Sequence, residues 1–233
     1  MPRYEPPRSD RSRLAFMDLT QETGTQYRAA GKPYPTEITL NTVTTTLGQF
    51  RTAYDAVSSK LSARSLEVEE QYQAVGKLQT YLRDLWEMIR RRTRRLGEPA
   101  AVLQFYGLPL DGINPNPGPV SDWLQLADEA IKGDADAVAA GYPAAVCPSA
   151  AEIQVVLDEA KAQHADVAPA DRAFDDSQAA VAALRPEVDA VIQEVMDELR
   201  YFLRKEDAPS QRRIMRSYGA TYRYLPGEPV DEE

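Results

Sequence analysis

A chain of 233 residues is long enough for one large or two small domains, and an apolar share of 43% permits a core. A formal net charge of −9 argues against generic binding to nucleic acid or to an anionic membrane. A single cysteine, Cys147, excludes an intramolecular disulfide framework, which fits a reducing compartment or a chain that needs no staples; a cytoplasmic location is expected. No run of about eighteen apolar residues offers a membrane-spanning helix, and the polar Pro/Arg-rich opening carries no secretory signal.

Residues 1–35 read as an extended arm. Pro2, Pro6, Pro7, Pro33 and Pro35 punctuate it, and Gly24 and Gly31 loosen it. Leu14, Phe16, Met17 and Leu19 are its candidate anchors, on a short helix or strand. The alternative is a frayed tail.

Residues 36–96 read as one long helix. Leu40, Leu47, Tyr54, Leu61, Val68, Val75, Leu82, Ile89 and Leu96 recur every seventh residue. Val43, Phe50, Val57, Leu78 and Leu85 each follow a member of that row by three places. This apolar seam of period 3.5 is the pattern of a helix lying lengthwise against another helix. Thr36 is a usable N-cap with Glu37 in the first turn. The Thr-rich opening is a poor helix former on its own, so packing must hold it. Arg90, Arg91, Arg92, Arg94 and Arg95 cluster at the end, before the stop signals Gly97 and Pro99. They suit either a phosphate-binding patch or solvated cations that complement the helix dipole.

Residues 97–148 differ in kind, with Pro and Gly in stretches such as GLPLDGINPNPGP. They are expected to form a small cap: a turn or strand over 100–106, a short helix opened by Ser121 or Asp122, and a second short helix over 134–140. Seven acids against the lone Lys132 make the cap acidic.

Residues 149–206 read as the second long helix. Ser149 and Glu152 form a capping-box pattern. Ile153, Ala160, Val167, Phe174, Val181, Val188, Val195 and Phe202 again fall every seventh residue. The seam keeps phase across Pro169 and Pro186, so one helix kinked near those prolines is expected, not three. The two helices match in length, and their net charges are opposite in sign. Folded back antiparallel, they should bring Arg90–Arg95 beside Glu152, Asp158 and Glu159. Midway the seam turns polar, with Arg64 and Gln71 on one helix and His164, Asp171, Gln178 and Arg185 on the other. Such residues either fix register or meet water.

Residues 207–233 close the chain with a short basic helix containing Arg212, Arg213 and Arg216. A strand-like stretch follows with Tyr218, Tyr222, Tyr224 and Leu225, then an acidic tip from Asp231 to Glu233. A lone strand needs a partner for its backbone groups, either the N-terminal arm, residues 101–106 or another protomer; the alternative is an extended tail lying on its own helices.

The fold class expected is therefore all-α. It is a long antiparallel helical hairpin with a small cap, extended terminal arms and one short C-terminal strand. Catalytic chemistry finds no constellation. One histidine excludes most triads and metal layouts, and no phosphate-binding glycine loop or nucleophile elbow is present. Cys147 has no neighbouring cation to activate it. The acidic runs at Glu67–Glu70 and Asp175–Asp176 read as solvated faces. No enzyme activity, cofactor or metal is expected.

The leading functional expectation is a structural or assembly protein that associates with itself through the hairpin and docks its arms on neighbours. An adaptor for nucleic acid or protein would use Arg90, Arg91, Arg94 and Arg95 with Arg212, Arg213 and Arg216, and Tyr218, Tyr222, Tyr224 and Leu225 are further interaction candidates. A membrane-active protein would insert the 97–148 cap.

Overall fold

The computed structural model describes residues 2–32, 34–111 and 113–226. The fold is all-α, with two long helices packed as a hairpin and one two-stranded sheet. In chain order the elements are β1 (Arg3–Glu5), α1 (Asp10–Ala29), α2 (Glu37–Leu96), a 3-10 helix (Ala100–Tyr106), α3 (Val120–Ala139), α4 (Ala150–Phe202), α5 (Ala208–Ser217) and β2 (Thr221–Arg223). α4 remains one helix through Pro169 and Pro186. The chain divides into two compact units, Met1–Lys60 with Phe174–Glu233, and Leu61–Ala173.

The first unit is built on the chain's two termini. The N-terminal region is not an extended arm: α1 occupies twenty of its residues. Ser9 caps it, accepting from the Ser12 amide while the Ser12 hydroxyl reaches back, so two orphan N–H groups are satisfied. Phe16 and Met17 then enter a core with Val43, Leu47 and Phe50 of α2 and Val188, Ile192, Val195 and Leu199 of α4. Paired carboxylates and guanidiniums fix α1 on α4. Arg13 grips Asp189 through two nitrogens at 2.7 and 2.9 Å, and Arg185 grips Asp10 at 2.9 and 2.8 Å. The Arg185 hydrogen bond holds the Asp10 carboxyl below its usual range.

α5 ends against α1, and that end explains the SYGATYRY stretch. The last carbonyls of a helix lack internal partners. Here the Thr23 hydroxyl donates to Ser217 O at 2.6 Å and the Thr20 hydroxyl to Tyr218 O at 2.9 Å. Tyr218 is fully buried; its ring meets Tyr27 edge-on and its hydroxyl donates to Tyr34 O at 3.0 Å. Gly219 has φ +95°, and a Cβ there would lie 2.9 Å from Phe16 Cα, so only glycine lets the chain turn so close to α1. The turn delivers β2 antiparallel to β1, with Tyr222 opposite Tyr4. The strand thus finds its partner in its own N-terminus, and it spans three residues. The Asp231–Glu233 tip lies outside the described residues.

The Thr-rich start of α2 is held by α4, as its low helix propensity requires. Glu198 accepts from the Thr36 amide at 2.8 Å and from the hydroxyls of Thr36 and Thr39 at 3.0 and 2.6 Å.

The second unit is the cap with the helix segments beneath it. The 3-10 helix and α3 cover Leu78, Leu82, Leu85, Trp86 and Ile89 of α2 and Ile153, Val156, Leu157 and Ala160 of α4. Two short helices were expected in the cap; one helix of twenty residues, α3, takes their place. It runs straight through Gly133. A Cβ at that position would sit 1.5 Å from the Phe105 carbonyl oxygen. The glycine is therefore a contact point between α3 and the 3-10 helix, not a break.

Within this unit the antiparallel register is explicit. Along α2, Arg64, Gln71 and Lys77 meet Asp171, His164 and Glu159 of α4, in falling order. The seam itself is unevenly covered. Leu47, Val75, Leu82, Ile89, Ile153, Val181, Val188 and Val195 are buried, and Leu40, Val167, Phe174 and Phe202 are half-buried. Tyr54, Leu61 and Val68, expected in the hairpin seam, are exposed, as is Leu96. The reason is geometric. Where the polar pairs Arg64–Asp171 and Gln71–His164 take the direct line between the helices, the apolar row lies at the edge.

Gly133→Ala is expected to cost at least about 3 kcal/mol, because the clash is with backbone. Urea unfolding followed by circular dichroism checks this; a midpoint like the wild type's would contradict the close approach.

Candidate functional site

In the second unit a cleft of about 960 Å³ opens beside the last turns of α2. One wall carries Tyr81, Asp84, Met88, Arg91, Arg95 and Leu96; the other is the 143–148 segment and Glu152 in the first turn of α4. The sequence folds this way because Gly97, at φ +66°, ends α2, and the chain comes back along it after α3. Cys147 lines the cleft as an exposed free thiol. A second hollow of about 680 Å³ lies by Arg90, Thr93, Arg94, Gly97, Leu103 and Leu110.

The arginines of this helix end have partners other than those expected. Arg90 and Arg91 pair with Glu87 one turn back, at 2.9 and 2.7 Å. That spacing is the favoured one on a helix surface. The Arg91 hydrogen bond holds the Glu87 carboxyl below its usual range. Of the α4 acids expected to receive them, Glu159 takes Lys77 at 2.8 Å, Asp158 accepts from Gln154, and Glu152 caps its own helix through Ser149. The Ser149 amide holds Glu152 low for that reason. Arg94 donates to the Arg90 carbonyl at 3.4 Å. Among the described residues neither Arg94 nor Arg95 has a carboxylate in ion-pair reach.

Arg92 is the exception in this cluster: 7% exposed, it is part of the core. Its Nε donates to Glu98 at 3.3 Å, its Nη1 donates to the Pro143 carbonyl, and its plane lies 5.8 Å from the Tyr106 ring centre. Its Nη2 has no hydrogen-bond acceptor among the described residues. Tyr106 continues the network, donating from its hydroxyl to Asp134 at 2.8 Å, and the Ala145 amide donates to the other side of the same oxygen's environment at 2.8 Å. Burial pushes the Tyr106 phenol up to about 12, and the Asp134 hydrogen bond adds to the shift. The Trp86 indole donates to Tyr106 O at 2.9 Å. These groups set the 143–148 wall in place. Sequence spacing carried one overlooked signal of them: Asp134 falls in the row Ala127, Ala130, Ala137, and an acid on an apolar face needs buried donors.

The remaining candidates lie in the other unit. Arg213 is exposed and Arg212 half-buried. Arg216 packs over the rings of Tyr222 and Tyr224 at 5.8 and 5.7 Å and bonds the Tyr224 hydroxyl. The Tyr222 hydroxyl meets Met215 Sδ at 2.9 Å. Tyr218 is wholly internal, so its ring offers no surface to a partner; Leu225 is exposed. The structure therefore does not gather the C-terminal tyrosines into one outward patch. It uses most of them to tie the chain's ends together.

His164 is exposed, and its Nδ1 lies 2.6 Å from the Gln71 side-chain amide nitrogen. Among the described residues no three metal-ligating side chains converge, and no helix is long and apolar enough to cross a membrane. Comparison with protein-family models, with characterised proteins and with solved structures finds no match to this chain.

Tyr106→Phe is expected to lower the unfolding free energy by about 1–3 kcal/mol, since it removes one donor from a buried carboxylate. Denaturant titration measures it; an unchanged free energy would remove the network's role in holding the cleft wall.

Proposed function

We propose that the chain is a non-enzymatic structural protein that associates with copies of itself through its helical hairpin, with its terminal regions docking on neighbours. The observation that carries this reading is the uncovered part of the α2 seam in the second unit. Leu61, Val68 and Tyr72 are 44%, 42% and 76% exposed. Positions i, i+7 and i+11 share one helix face. Single exposed apolar residues are ordinary, but a row at seam spacing is not. A second copy's helix is the simplest surface that continues the 3.5-residue repeat. The small residue Gly76 extends the row, and a Cβ there would meet nothing within 4 Å, so the backbone is approachable.

The balance of charge supports a protein partner over a nucleic acid. The chain is acidic overall, and Arg90, Arg91 and Arg92 are engaged by Glu87 and Glu98. The apolar side chains of the cap support a structural role over membrane insertion, because Val102, Leu103, Tyr106 and Leu108 are buried in the unit's core.

Light scattering on a sizing column at about 50–100 µM is expected to give a mass of at least twice the 26.0 kDa chain. The double substitution Leu61→Glu with Val68→Glu should return the mass to that of one chain without loss of helix signal. A wild-type monomer throughout this range would overturn the reading.

A further inference from the structure

We infer that the uncovered stretch of α2 in the second unit packs against the same stretch of a second copy in the antiparallel sense, about a two-fold axis that crosses between Leu66 and Glu67. The inference rests on the self-association reading and gives that contact its symmetry and register.

At about 100° per residue, Leu61, Ser65, Val68 and Tyr72 fall within an arc of about 60° on α2. All four are exposed. The Ser65 hydroxyl donates to the Leu61 carbonyl at 2.9 Å, so this small side chain is satisfied within its own helix and tolerates an apolar neighbour. Glu67 and Glu70 lie more than about 120° from the middle of the arc. Of the three acids in this stretch only Glu69 borders the row, and it accepts from the Gln73 side-chain amide at 2.9 Å.

An isologous contact carries a surface onto itself. Two antiparallel copies of this row share a two-fold only at its midpoint. Leu61 then stands level with the second copy's Tyr72, and Ser65 with its Val68. Each Val68 fills the space that a Ser65 leaves, and each Tyr72 ring lies on a Leu61. The parallel sense sets every residue against its own copy. It leaves a gap between two serines and crowds two tyrosine rings, which close packing disfavours.

Charge selects the same sense. Residues 61–66 carry Arg64 and no acid; residues 67–72 carry Glu67, Glu69 and Glu70 and no cation. Antiparallel packing lays the basic half beside the acidic half, with Arg64 level with the second copy's Glu69. Parallel packing brings three acids to the level of three acids, and like charges so placed repel. Four side chains per copy make a contact smaller than the roughly 800 Å² per partner of a standard interface, so a dissociation constant of roughly 1–20 µM is expected.

The test uses the full chain in a light-scattering dilution series. Leu61→Glu alone and Tyr72→Lys alone should each weaken association at least about tenfold, with unchanged circular dichroism spectra. Combined, they set opposite charges level with each other twice across the axis. At 50 mM salt the double variant should return to within about threefold of the wild type, and at 300 mM it should weaken again. A double variant no better than either single one overturns the inference. A second measurement uses nitroxide labels on Ser62→Cys or Thr80→Cys, with the exposed free thiol removed by Cys147→Ser. Both positions are exposed and lie on one side of α2, about five turns apart. In the antiparallel dimer the label separation at position 80 should exceed that at position 62 by about 20 Å, from the rise of 1.5 Å per residue. Equal separations overturn the inference while leaving self-association standing, whereas a wild-type chain that stays monomeric removes both.

Discussion

Two helices packed side by side share a single line of contact, and whatever lies off that line stays wet unless a third element covers it. This constraint orders the structure. α1, α5 and the two short strands cover the hairpin in the first unit; the 3-10 helix and α3 cover it in the second. Each covered stretch turns the apolar seam into a three-sided core with fully buried Phe50, Leu82, Trp86 and Val195. Between Leu61 and Gln73 none of the described residues of the second unit supplies such cover, and Leu61, Val68 and Tyr72 lie open.

The polar pairs along the uncovered stretch follow from the same constraint. An apolar contact between only two helices buries too little surface to outweigh much chain entropy. Arg64–Asp171 and Gln71–His164 instead fix which residues face each other. Half-exposed pairs of this kind contribute little to stability, so their value is in register. The more enclosed acids behave differently. Buried Asp134 takes a phenol and a backbone amide, and half-buried Glu198 takes an amide and two hydroxyls. A buried acid such as Asp134 is tolerated in a core only when its hydrogen bonds are made.

Much of the architecture is legible in the residues, because period and punctuation are local. The seam rows gave both long helices within a few residues of α2 and α4, and Ser149 with Glu152 marked the start of the second. What the residues conceal depends on contacts distant in sequence. The two short helices expected in the cap are one, and it passes through Gly133, where the Phe105 carbonyl lies too close for a side chain. The prolines at 2, 6 and 7 suggest a loose arm, yet they precede a helix whose anchors, Phe16 and Met17, need α2 and α4 to bury them. The tail's tyrosines suggest a docking motif, and Tyr218 and Tyr222 are spent inside the chain. The arginine cluster was visible as a cluster; that Arg92 alone turns inward depends on Glu98 and Pro143 arriving from the cap.

Cover decides burial along the hairpin, and in the self-association proposed above a second copy supplies the cover at residues 61–73. Hydrogen exchange read by mass spectrometry at two protein concentrations tests it directly. In dilute solution the amides of 61–73 should exchange faster than those of 43–50 and 78–89, and they should slow as concentration rises while the other two stretches do not change. Equal protection along α2, unaffected by concentration, would contradict it.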